Sequence, residues 1–228
     1  MNRFSRLFAT SALALAACGI AGATPIAAGG SVAASAITTT PTTYLAFYQN
    51  VAYTSQAPSG QTPTFSGTYS AAVYRDSSNT LCSSAGNCLS FAIQVTNNST
   101  SRDGIETVTT GPFSSLFTYN VGYVAGTGFP VPLTITDTAF GTIGFNFTAI
   151  GNTANLIMPG NSSAVLVIQS SATTFVPGSI SFQDNQTATV AGFIPSVAVT
   201  PEPSSLVLLG TGLIGTATTM LRRRKLMA

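Results

Sequence analysis

Between Thr24 and Thr200, the side chains able to do acid–base or hard-metal chemistry are five carboxylates: Asp76, Asp103, Glu106, Asp137 and Asp184. The same stretch has two arginines, Arg75 and Arg102, and the whole chain has no histidine. Without an imidazole, no Ser-His-Asp or Cys-His relay can form. A glycosidase needs only two carboxyl groups roughly 5–9 Å apart, and five acids could supply such a pair. Calcium takes carboxylate and carbonyl oxygens. Asp103 and Glu106 are close enough in sequence to share one ion, and Asp184-Asn185-Gln186 is a second oxygen-rich turn. Neither matches an EF-hand loop or an RTX repeat. Arg75-Asp76 and Arg102-Asp103-Gly104 read as solvated turns at strand ends. The expectation is no catalytic residue, no metal ligand and no cofactor, with calcium the one alternative kept open.

Thiol chemistry is equally sparse. Cys82 and Cys88 enclose Ser83-Ser84-Ala85-Gly86-Asn87, a small polar loop that suits a hairpin tip. A zinc site would need more thiolates or imidazoles, and a nucleophilic thiol would need a base. In an exported chain the pair reads as a disulfide.

The elements that must carry these residues are strands. Leu89, Phe91, Ile93 and Val95 alternate with smaller or polar neighbours, as do Phe117, Tyr119, Val121 and Tyr123. Val131, Leu133 and Ile135, then Ile143, Phe145 and Phe147, then Ile180 and Phe182 repeat this two-residue period. Ala164–Ile168 is a continuous apolar run suited to a strand buried on both faces. Asn97-Asn98-Ser99, Asp103-Gly104, Gly111-Pro112, Pro159-Gly160-Asn161 and Pro177-Gly178 read as breakers between strands. Many short strands with frequent turns predict an all-β, antiparallel β-sandwich, jelly-roll-like, over residues 44–198. A solenoid is the next alternative, but no fixed repeat is present. Residues 24–43, rich in Ser, Thr and Ala, read as a flexible or extended lead-in.

The two ends differ from the body. Met1–Arg6 is a basic opening, Leu7–Ala17 is apolar, and Ala21-Gly22-Ala23 supplies small residues, so residues 1–23 read as a signal peptide cut between Ala23 and Thr24. Leu15-Ala16-Ala17-Cys18 also has the form of a lipobox, which would make Cys18 a lipidated first residue; that alternative stays open. At the other end, Pro201-Glu202-Pro203 precedes an uncharged run from Ser205 to Leu221, which ends at Arg222-Arg223-Arg224-Lys225. At ~1.5 Å per residue a helix over 205–221 reaches about 26 Å, slightly short of the ~30 Å hydrocarbon core. Snorkelling of Arg222 can cover the shortfall. The basic cluster keeps the C-terminus on the cytoplasmic side. Gly210, Gly212 and Gly215 make the span a marginal anchor, as a temporary one would be.

This order of proline turn, apolar span and basic cluster resembles the PEP-CTERM sorting signal of bacterial surface proteins. The resemblance covers residues 199–225. It implies export, a transient transmembrane anchor over 205–221 and processing by an exosortase, a membrane-embedded, cysteine-dependent enzyme, near Pro201-Glu202-Pro203. It also implies delivery to the cell surface or extracellular matrix in the company of exopolysaccharide.

The formal charge of +2 belongs to the ends. The body carries two basic and five acidic residues, a net −3, which excludes a phosphate-tracking nucleic-acid surface. Asn97, Asn98, Asn146, Asn161 and Asn185 each fit Asn-x-Ser/Thr, a common pattern in a body this rich in Ser, Thr and Asn. The leading expectation is a non-enzymatic surface or biofilm-matrix protein associated with exopolysaccharide. A carbohydrate- or calcium-binding adhesion module and a secreted carboxylate-dependent hydrolase are the alternatives.

Overall fold

A computed structural model describes residues 24–82, 87–148 and 155–197, and Thr211 alone from the C-terminal unit, 198–228. The predicted signal peptide, the Pro-Glu-Pro turn, the basic cluster and all of the 205–221 span except Thr211 lie outside the described residues. Among the described residues, no helix is long and apolar enough to cross a membrane.

Twelve strands make up the body: β1 (Thr24–Ile26), β2 (Ser31–Ala33), β3 (Pro41–Thr54), β4 (Ser66–Asp76), β5 (Leu89–Asn97), β6 (Thr107–Gly111), β7 (Tyr119–Val124), β8 (Thr134–Asp137), β9 (Ile143–Asn146), β10 (Val165–Ser170), β11 (Thr174–Asp184) and β12 (Gln186–Ser196). They form two six-stranded sheets. Sheet A runs β1-β7-β10-β5-β4-β3, and sheet B runs β12-β11-β6-β9-β8-β2. Pairing between the strands is antiparallel throughout. β3, β4 and β5 form a meander within one sheet. The chain crosses between sheets at β1–β2 and β2–β3, and from β5 onward at every connection except the hairpins β8–β9 and β11–β12, so the β3–β4–β5 meander interrupts a wrap from sheet to sheet.

The core is the row of inward side chains that the alternation predicts. Phe91, Ile93 and Val95 of β5, Val121 of β7, Ile143 and Phe145 of β9, and Ile180 and Phe182 of β11 are all buried. Aromatic rings link the layers: Tyr53 packs on Phe65 and Phe182, Tyr69 on Phe182 and Tyr48, and Tyr48 stacks on Phe193 at 4.9 Å. Tyr53 and Tyr69 therefore belong to the core, with their hydroxyls donating to the carbonyls of Thr96 and Ala191.

Three expectations need correction. Residues 24–43, expected to be a flexible or extended lead-in to a sandwich over 44–198, are extended but belong to the sheets. β1 pairs at the edge of sheet A, β2 at the edge of sheet B, β3 begins at Pro41, and 38–40 crosses the outer face of sheet A. Tyr123 N–H donates to Ser35 O and Ile37 N–H to Tyr123 O, and Ile37 is 2% exposed. The physical reason is close approach at Gly122, where a Cβ would meet Ser35 O at 2.6 Å. Pro177-Gly178 is not a breaker but lies inside β11, paired to Phe193 and Gly192. The pairing of β11 with β6 begins only at Ser179, so Pro177 sits where its other side has no ladder to supply. Val131 and Leu133 precede β8, which starts at Thr134.

Candidate functional site

Cys82 and Cys88 form a disulfide, with Cα atoms 5.7 Å apart. It ties the end of the β4 turn to the start of β5, and Cys88 is fully buried. Thr24, on the far side of the predicted signal cleavage, opens β1 opposite Val121. Ala23, the sorting motif Pro201, Glu202 and Pro203, and the cluster Arg222, Arg223, Arg224 and Lys225 are outside the described residues.

Asp76 overturns its sequence reading as a solvated turn residue, since its side chain is 0% exposed. Its Oδ1 accepts from Thr40 N–H at 2.8 Å and from both the backbone N–H and the hydroxyl of Ser78. Oδ2 accepts from Ser90 Oγ at 3.0 Å and Gln169 Nε2 at 3.3 Å. Gln169 also donates to Thr38 O. Each hydrogen bond to a charged group is worth about 1.5–3 kcal/mol where burial would otherwise penalise it. The set fixes residues 38–40 onto sheet A. Burial, and next the charge of Asp76, push the Tyr74 phenol up, so it stays protonated. Asp76 is a structural carboxylate with all its lone pairs directed at the protein. Arg75, by contrast, points outward and donates to Asn87.

The other acids converge, which sequence order alone does not reveal. Asp184, at the end of β11, is 6% exposed. Asn185 beside it adopts φ 39° to close the β11–β12 hairpin, a conformation Asn tolerates better than most residues. Asn185 Nδ2 donates to Asp184 Oδ1 at 3.3 Å, and Asp184 Oδ2 is buried without a protein donor. Burial first, then a hydrogen bond to Asp103, then the negative charges of Asp103 and Glu106, push the Asp184 carboxyl up to about 7. Asp103 and Glu106 thus lie near enough to Asp184 to act on its carboxyl. The two oxygen-rich turns considered for calcium are therefore one cluster. Among the described residues, however, no three His, Cys, Asp or Glu side chains are arranged to hold a metal ion. Asp137, on β8, is also buried with Oδ1 unpartnered, and burial raises its carboxyl.

The Asn-x-Ser/Thr sites divide by burial. Asn97 is fully buried, with Nδ2 donating to Asp103 O and Ile157 O. Asn98, Asn161 and Asn185 are exposed.

A surface that charge-based reasoning misses is the outer face of sheet B. Thr189, Ser181, Thr109, Gly144, Thr136 and Ser31 are successive register partners across all six strands. The next row runs Thr187, Gln183, Thr107, Asn146, Thr134 and Ala33. Neighbouring strands stand ~4.8 Å apart, so this face presents hydroxyls and amides at a regular pitch without a charged side chain in either row. The signal in the sequence was the polar half of each alternation, including Thr107 and Thr109, Ser179 and Ser181, and Thr134 and Thr136.

At one end of these rows is a shallow groove of 330 Å³ lined by Thr109, Gly111, Pro112, Phe140, Thr142, Ser179 and Ser181, with Thr110 beneath. Phe140 sits on the β8–β9 hairpin tip and is 89% exposed. The tip is braced: Gly141 N–H donates to Thr138 O, Thr142 N–H to the Thr138 hydroxyl, and Phe113 N–H to Gly141 O. Gly141 has φ 77°, and a Cβ there would collide with Phe113 O.

Comparison with known proteins places one segment. Residues 199–225 match the family model for the PEP-CTERM protein-sorting motif. Neither a curated protein nor a solved structure matches the chain. The motif implies export, a transient membrane anchor and processing by an exosortase.

Proposed function

We propose that this is a non-catalytic exported protein whose sandwich is delivered to the cell surface or extracellular matrix and associates there with neutral exopolysaccharide, as a biofilm component. The observation that carries the sorting half is the motif over residues 199–225. The apolar span before Arg222 halts the chain, an exosortase-type enzyme cuts near Pro201-Glu202-Pro203, and the body leaves the membrane. Three features support the matrix half. The body lacks histidine; its most buried carboxylate, Asp76, is saturated by protein donors; and sheet B turns an uncharged hydroxyl face outward. Deleting residues 201–228 tests the sorting reading, with release of the body to the medium or periplasm expected. Surface retention equal to that of the parent chain would refute it.

A further inference from the structure

We propose that the groove bounded by Phe140, Pro112, Thr142, Thr109, Ser179 and Ser181 is a binding site for a neutral polysaccharide chain. The inference rests on the matrix reading above and gives that reading a location. The volume of 330 Å³ is at the lower end of small-ligand sites, ~300–1,000 Å³. It is open, which suits a segment of a longer polymer rather than an enclosed metabolite.

The chemistry of the lining selects the ligand class. No lining residue is charged, so phosphate, sulfate and uronate groups would lose water there without gaining a counter-charge. The hydroxyls keep capacity to bond. Ser179 Oγ reaches Gly111 O only at 3.4 Å, and Thr109 Oγ1 reaches Ser181 O only at 3.5 Å. Both contacts are long for O–H···O bonds, and each hydroxyl also has two acceptor lone pairs. A sugar hydroxyl both donates and accepts, so it matches this surface better than a group restricted to one role.

Phe140 supplies the other half of sugar recognition. A phenyl ring 89% exposed at the tip of a braced turn has apolar surface that contributes nothing to the core. The brace matters, because the backbone that carries the ring is already fixed and loses little freedom on binding. Its face can pack on the C–H face of a pyranose while the groove hydroxyls engage the ring's edge. The hydroxyl rows of sheet B continue from the groove toward Ser31, giving a polymer further contacts along its length.

The test uses the full chain, purified in detergent, on columns of the organism's own exopolysaccharide and of neutral glucan, mannan and galactan, with a polyuronate column alongside. Retention on the exopolysaccharide or on at least one neutral column, and none on polyuronate, is expected. Phe140→Ala and Ser179→Glu should each weaken neutral-polymer binding ~10-fold, the equivalent of about 1.4 kcal/mol. Both positions are exposed, and an unchanged thermal melt for each variant would show that the fold is kept. Binding by the parent with full retention by both variants would overturn the groove while leaving the matrix reading intact. Failure of the parent on the exopolysaccharide and on every neutral column would overturn both. Sedimentation supplies a third outcome: if the variants lose self-association but not polymer binding, the groove is a contact between copies of this chain and the proposal falls.

Discussion

The outer faces of the two sheets begin from the same sequence pattern and reach opposite ends. On sheet A, the outward residues Ala72, Tyr74 and Ala92 are buried, with Tyr44 and Val165 packed against them, and Ile37 in the 34–40 strap is buried as well. On sheet B, no strap among the described residues covers the outward Thr and Ser rows: Gln183 and Thr189 are exposed, and Thr107, Thr109, Thr136 and Ser181 are half-buried. One face has been turned into a second, polar-centred core around Asp76, and the other has been left for solvent or a ligand. A period-two pattern says which residues share a face. It does not say what will cover that face, which depends on small residues such as Gly122 and on a carboxylate that can capture backbone N–H groups.

The sharpest way to break this contrast is Asp76→Ala. It would strand Thr40 N–H, the Ser90 hydroxyl and the Gln169 amide in a buried site, with an expected loss of roughly 3–5 kcal/mol in urea unfolding of the full chain. Ile37→Ala removes the apolar pin of the strap and should cost about 2–3 kcal/mol by the same measurement. A cost near zero would mean that the strap covers sheet A without stabilising it.

Asp184 gives a pH test at the end of the sandwich. Its folded-state value, about 7, lies above the ordinary 3.8, so the fold binds its proton more tightly than the unfolded chain does. The stability it contributes is fully present below about pH 4 and is lost as pH rises through about 7. Discounted for solvent screening, the loss is on the order of 1 kcal/mol, or ~3 °C in melting temperature. Asp184→Asn should flatten the profile and leave the variant more stable than the parent at pH 8. The smallest effect belongs to sheet B, where Thr136→Ala should change stability by no more than ~0.5 kcal/mol. A larger loss would show that the hydroxyl rows help hold the fold as well as facing outward.

Much of this architecture was legible in the residues. The alternation through Leu89–Val95 and Ile143–Phe147 marked core strands, the apolar run Ala164–Ile168 contains most of β10, and the spacing of Cys82 and Cys88 suited a disulfide. Other parts were hidden for physical reasons. β3 runs for 14 residues, but its pairing with β4 slips at three places. Asn50 has φ 49°, so inward and outward positions lose their period, as bulges require. Asp103 and Asp184 are brought together by β6 pairing with β11, a long-range contact that no local pattern encodes. The Asp76 network was missed because an Arg-Asp pair before a turn reads as solvated until the strap closes over it. The exposed ring of Phe140 carried no signal, since a lone Phe between Ala139 and Gly141 resembles any other apolar residue near a turn.

The placement of β1 and β2 also bears on the order of assembly. Their partners are β7 and β8, so during N-to-C synthesis and export the first strands emerge long before anything exists for them to pair with. While they wait, their open edges could recruit another chain. Three-residue strands, separated by Gly29 and Gly30 and flanked by Ser, Thr and Ala, offer little for a wrong partner to grip. The composition that suggested a flexible or extended lead-in thus describes a segment that must remain uncommitted until the middle of the chain arrives to receive it.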